Sequence, residues 1–174
     1  MKLSGMIAAL AVALLAMTAQ AQELKVGDPA PDFKLQASDG NTYSLSDFKD
    51  KQAVVIAWFP KAFTSGCTVE CKSLAENGDL IRKYDVAYFM ASVDPLEDSI
   101  DFAKETNADF PLLSDPTKGI ARAYGVLQME TFAKRQTFYI GVDGNILKID
   151  TQVKPATSAQ DMAETLGELG VATR

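Results

Sequence analysis

Ala53-Val54-Val55-Ile56-Ala57-Trp58-Phe59-Pro60-Lys61-Ala62-Phe63-Thr64-Ser65-Gly66-Cys67-Thr68-Val69-Glu70-Cys71 joins the strongest apolar strand of the chain to its only two cysteines. The run Ala53 to Phe59 has the length and β-branched content of a strand buried on both faces. Pro60 cannot donate to a ladder and ends it. Beyond the Thr64-Ser65-Gly66 loop, Cys67, Cys71, Leu74 and Ile81 fall near one face of a helical wheel, which predicts a helix with Cys67 in its first turn. A thiol there meets the positive end of the helix dipole.

Composition bounds the rest. The chain has 174 residues, 47% hydrophobic and 23% charged, enough for one ordinary globular domain with a core of its own. A net charge of −6 without a Lys/Arg cluster argues against a nucleic-acid partner. Histidine is absent, which removes His-based triads and Cys/His zinc sites, and two cysteines cannot complete a four-thiolate site within one chain. Any chemistry rests on thiols, hydroxyls, carboxylates, Lys, Arg or Tyr.

At the N-terminus, Lys2 precedes a mostly apolar run from Met6 to Met17, and Ala19-Gln20-Ala21 has the small-x-small form of a secretory cleavage site. Residues 1–21 therefore read as a cleaved signal peptide, and 22–174 as the working domain. Export, with the periplasm as the expected compartment, would put the cysteine pair where a disulfide persists. The run is short for a membrane anchor, since a bilayer span needs ~20 apolar residues.

Phe33 to Ala37 alternates, Asp39-Gly40 supplies a turn, and Thr42 to Leu45 resumes extended character: an N-terminal β-hairpin. Ser46 to Lys49 reads as a short helical turn. Asn77-Gly78 interrupts the cysteine helix, and Val86 to Val93 is a second buried strand. Asp94-Pro95 reads as an N-cap and first-position proline opening a helix to about Thr106. Leu112-Leu113 is briefly extended, and Gly119 to Tyr124 is a short helix stopped by Gly125. Thr137 to Ile140 and Ile146 to Ile149 flank Asp143-Gly144 as an antiparallel pair. Ser158 with Asp161 resembles a capping box for a last helix ending near Leu166. This order requires an α/β fold with a central mixed sheet flanked by helices, similar in outline to the thioredoxin-like fold.

A free thiol with a pKa of ~8.5 is about 3% ionised at pH 7, so complete ionisation is worth roughly thirtyfold, or ~2 kcal/mol. A fast thiol enzyme needs further groups that stabilise charge in the transition state. Thr64 can present a hydroxyl from the same loop. Arg135, just before the Thr137 strand, is a second candidate donor, because strand ends beside the central strand converge on one sheet edge. Its plainer reading is an exposed arginine in a polar segment. Cys71 lies four positions after Cys67, so in a regular helix the two Cβ atoms stand about 5 to 6 Å apart, whereas a disulfide wants about 3.5 to 4.5 Å. Bonding them requires the first turn to unwind. Otherwise Cys71 is core and Cys67 acts alone.

The loop Pro60-x-x-x-Thr64-x-x-Cys67 resembles the active loop of the peroxiredoxins, thiol peroxidases on a thioredoxin-like fold. The similarity extends from Val26-Gly27-Asp28-Pro29-Ala30-Pro31-Asp32-Phe33 through Leu113-Ser114-Asp115 to Arg135-Gln136-Thr137-Phe138-Tyr139-Ile140. It implies that Cys67 is the peroxidatic thiolate, that Thr64 and Arg135 hold the peroxide and the thiolate, and that Pro60 shields the pocket. It also implies that Cys71 is a resolving cysteine like that of the bacterioferritin-comigratory, or Q-type, subgroup, although here it stands one residue closer than is usual there. The expected substrates are hydrogen peroxide or organic hydroperoxides. The expected reductant is a thioredoxin-like protein or a small thiol, with no cofactor and a monomer or weak dimer as the working unit. Two other readings share the fold. A thioredoxin-class thiol-disulfide oxidoreductase would carry Cys-x-x-Cys, and a Sco-like copper-binding protein would add a histidine that this chain lacks.

Overall fold

A computed structural model describes residues 23–174; the expected signal segment lies outside the described residues. The central strand, β3 (Ala53–Trp58), is buried at all six positions. It pairs in parallel with β4 (Val86–Ser92) and antiparallel with β8 (Gln136–Ile140). The remaining strands of this sheet are β1 (Lys34–Ala37), β2 (Thr42–Ser44), β5 (Leu112–Ser114) and β9 (Ile146–Asp150), in the order β2-β1-β5-β4-β3-β8-β9. The expected mixed sheet and both hairpins are present.

Alternation along β3 divides the interior in two, because successive side chains of a strand point to opposite faces. Val55 and Ala57, with Phe59 just beyond, enter a core shared with Cys67, Cys71, Leu74, Phe102 and Met162. Val54, Ile56 and Trp58 enter another with Phe89, Tyr124 and Phe138. The first core is covered by α1 (Ser65–Glu76), α2 (Gly78–Arg82), α3 (Leu96–Thr106) and α5 (Ser158–Glu168). The second is covered by α4 (Gly119–Ala123) and the side chains of Phe33, Leu35 and Leu45. Each large apolar side chain so buried contributes about 1.5 to 3 kcal/mol relative to exposure. β3 is thereby held rigidly from both sides, and so is the loop that leaves its end.

Two local expectations are corrected and one element is added. Asp94 does not cap α3: Pro95 occupies that position, and the Asp94 carboxylate instead accepts the backbone N–H of Ala62 at 2.8 Å. A buried, charge-assisted bond to the backbone of the loop after β3 outweighs the local cap. Ser158 does not open the capping box, because a 3₁₀ turn over Pro155–Thr157 runs straight into α5; Thr157 takes the cap position and its hydroxyl donates to Asp161 at 2.8 Å. A small hairpin of β6 (Leu127–Gln128) and β7 (Phe132–Ala133) was not expected from the sequence. Its turn places Met129 and Glu130 at φ 50 and 53 without the Asn or Gly that normally signals such a turn.

Candidate active site

The chain leaves β3 through Phe59 and Pro60 and enters α1 at Ser65. Two constraints shape the intervening loop. Asp94 ties down Ala62 N–H, and Phe63 is driven to φ 65, an uncommon conformation for a bulky residue, with its ring packed edge-on to Phe102 at 5.4 Å. Thr64 then takes the extended N-cap conformation, and its carbonyl accepts the first helical bond, from Thr68 N–H at 2.9 Å. Its hydroxyl does not cap the helix; it donates to the Lys61 carbonyl at 2.9 Å. The first-turn N–H groups, that of Cys67 included, are thus left without the cap side chain.

Cys67 is buried in that first turn, as expected. Arg135, at the threshold of β8, donates Nη2–H to Cys67 Sγ at 3.2 Å. Its other guanidinium nitrogen, Nη1, is paired with Glu70, whose carboxylate is completely buried one helical turn from Cys67. Glu70 holds the guanidinium plane in place, so one N–H faces sulfur. The second Glu70 oxygen, Oε1, is buried without a partner among the described residues. Gly66 makes room for the arrangement: a Cβ there would stand 3.3 Å from Arg135 Nη2.

Cys71 is also reduced and fully buried on α1. Its Sγ lies 3.1 Å from the Thr106 hydroxyl, and burial pushes its thiol up to about 11. At pH 7 a thiol of that kind is ionised about once in ten thousand. Pro60 stands beside the loop and lines a recess of about 360 Å³ with Lys61, Val93, Lys118 and Phe132. A separate cavity of about 340 Å³ lies at the other end of β3, among Pro29, Leu45, Phe48 and Val54, and none of the candidate residues lines it. Of the five residues singled out from the sequence, Cys67 and Arg135 are in direct contact and Cys71 shares the helix of Cys67. Thr64 and Pro60 share the loop, with the Thr64 hydroxyl turned toward Lys61.

Residues 26–149 match the model of the AhpC/TSA family. The chain belongs to that family. It is similar to Escherichia coli peroxiredoxin Bcp, with 36% identity over 130 residues that cover 71% of this chain and 83% of the relative. Among solved structures it is similar to peroxidoxin BcpB of Mycobacterium tuberculosis, with 28% identity, a TM-score of 0.75, and coverage of 84% of this chain and 98% of that one. Xylella fastidiosa PrxQ shares the fold at a TM-score of 0.78 and 23% identity, covering 85% of this chain and 98% of that one. This peroxiredoxin is accordingly a thiol peroxidase, and its relatives bear the bacterioferritin-comigratory likeness that the position of Cys71 implied.

The sequence reading of this AhpC/TSA chain missed Glu70, Asp94, Gly66 and Thr106. Glu70 carried a usable signal. It is three positions from Cys67, on the helix face otherwise occupied by Cys67, Cys71 and Leu74, and a carboxylate on a buried face demands a cationic partner. Asp94 and Thr106 carried none, since their partners are distant in sequence.

Proposed function

We propose that Cys67, as the thiolate, attacks the terminal oxygen of hydrogen peroxide or an organic hydroperoxide. The sulfur–oxygen bond forms as the oxygen–oxygen bond breaks. Sulfur loses two electrons to become sulfenic acid, and the departing hydroxide or alkoxide takes a proton to leave as water or alcohol. Arg135 stabilises the thiolate before attack and the charge on the leaving oxygen during it. Thr64 turns its hydroxyl from Lys61 toward the bound peroxide, and Pro60 shields the pocket. The observation that carries this reading is the Arg135 Nη2–H on Cys67 Sγ at the start of a helix.

Cys71 then resolves the sulfenic acid as an intramolecular disulfide, which a thioredoxin-like protein or a small thiol reduces. One feature supports this role: Cys71 lies one turn from Cys67 on the same helix. Its burial means that the first turns of α1 must open before it reacts. Residues 1–21 support export, with antioxidant work in the cell envelope by a monomer or weak dimer. Family membership favours peroxide reduction over thioredoxin-class exchange or Sco-like copper binding.

The test is stopped-flow oxidation of the reduced mature protein by hydrogen peroxide, followed through Trp58, the single tryptophan, with intact-mass analysis. Cys67→Ser is expected to abolish oxidation, and Cys71→Ser to halt it at sulfenic acid. Arg135→Ala should slow the first step by about 10² to 10³, the usual cost of removing one transition-state donor. Oxidation that survives Cys67→Ser would overturn the assignment.

A further inference from the structure

Cys71 is held by a specific partner, and the direction of that contact follows from counting protons. Thr106, the last residue of α3, is buried, and its Oγ1 lies 2.7 Å from the Phe102 carbonyl one turn back and 3.1 Å from Cys71 Sγ. A threonine hydroxyl has one proton to donate and spare lone pairs to accept with. The shorter contact, to a carbonyl that can only accept, takes the proton. Cys71 is therefore the donor, through S–H to the Thr106 oxygen. For the hydroxyl to turn and support a thiolate at Cys71, it would have to abandon Phe102.

We propose that Thr106 is a positioning residue for the resolving step: its hydroxyl anchors the Cys71 thiol between α1 and α3 while Cys67 reacts with peroxide, and so sets how long the sulfenic acid survives. This rests on the reading of Cys71 as the resolving cysteine. In that step the Cys71 sulfur, having given up its proton, attacks the sulfenic sulfur of Cys67. The sulfur–sulfur bond forms, the sulfur–oxygen bond breaks, and the departing hydroxide takes the proton to leave as water. The Cys67 sulfur gains the electron that the Cys71 sulfur loses. The Thr106 contact exists in the closed, reduced helix and is broken before the two sulfurs can meet. It stabilises the state from which resolution starts and delays the step. The delay gives a second peroxide, or an external thiol, time to reach the sulfenic acid.

The test uses the full reduced protein mixed with one equivalent of hydrogen peroxide, quenched at intervals, with sulfenic acid and disulfide counted by intact mass. Thr106→Val keeps the shape and removes the acceptor. Relative to Cys67 oxidation in the same experiment, it should speed disulfide formation by roughly twofold to tenfold, the range one neutral hydrogen bond supports. Under excess peroxide the yield of sulfinic Cys67 should fall correspondingly. Thr106→Ser, which keeps the hydroxyl but not the methyl, should resolve like wild type. Resolution in Thr106→Val no faster than wild type, or equal acceleration by Thr106→Ser, would overturn the anchor while leaving Cys71 as the resolving residue. A wild type that forms no Cys67–Cys71 disulfide would overturn both.

Discussion

At Gly66 two physical demands oppose each other. Alanine is favoured over glycine in helices by up to ~1 kcal/mol, so Gly66→Ala should leave α1 as stable or slightly more so. The added methyl would meet Arg135 Nη2 at 3.3 Å, closer than most such contacts. A free arginine tip would swing away. This one is held by Glu70 and Cys67, and the Cys67 contact is the one that must lengthen. The expected outcome is an unchanged or raised melting temperature with a peroxide rate constant reduced severalfold. An unaltered rate in the folded variant would mean that the guanidinium has slack the geometry does not suggest. Glu70 belongs to the same balance: a buried carboxylate is tolerated because Arg135 neutralises it, and Arg135 is aimed because Glu70 cannot move.

At the scale of the element, the loop between β3 and α1 is where the fold stores its constraints. Its backbone is held by Asp94, itself two residues beyond the end of β4 and fixed further by the Ser114 hydroxyl donating to its carbonyl at 2.7 Å. Asp94→Ala would leave the buried Ala62 N–H without its charged acceptor, a change that costs about 1.5 to 3 kcal/mol. Urea denaturation should report that loss, and stopped-flow should report slower Cys67 oxidation, because the loop that delivers Thr64 is no longer fixed. A variant that lost stability but oxidised at the wild-type rate would show that the tether serves the fold alone. Helix α1 itself ends where Asn77-Gly78 suggested: Asn77 is its C-cap, and Ile81 reaches the same core from the separate α2.

For the whole molecule, burial of Cys71 becomes a pH dependence of stability. Burial raises its thiol from an ordinary value of 9.0 to about 11, so the folded state keeps a proton that the unfolded state gives up. The sign follows directly: stability is intact below pH 9 and falls as pH rises toward 11. Under reducing conditions, wild type should lose about 2 kcal/mol more between pH 8 and pH 10.5 than Cys71→Ala does. Tyr88 and Tyr139, each pushed up to about 12 by burial, add a loss common to both proteins. Equal losses would show that the thiol ionises within the folded state. By itself the sequence determined what is periodic or local: the buried β3 run, the start of α1 at the cysteine stretch, the hairpins signalled by Asp39-Gly40 and Asp143-Gly144, and through them the mixed sheet. Side-chain period and turn chemistry are short-range properties, and they are written in consecutive residues. The tertiary structure alone decided that Glu70 would aim Arg135 from 65 positions away, that Asp94 would serve the loop rather than its own helix, and that Thr106 would meet Cys71 across 35 positions. Those contacts exist because strand order brings the ends of β3, β4 and β8 and the packed helices α1 and α3 together, and no local pattern encodes which side chains meet there.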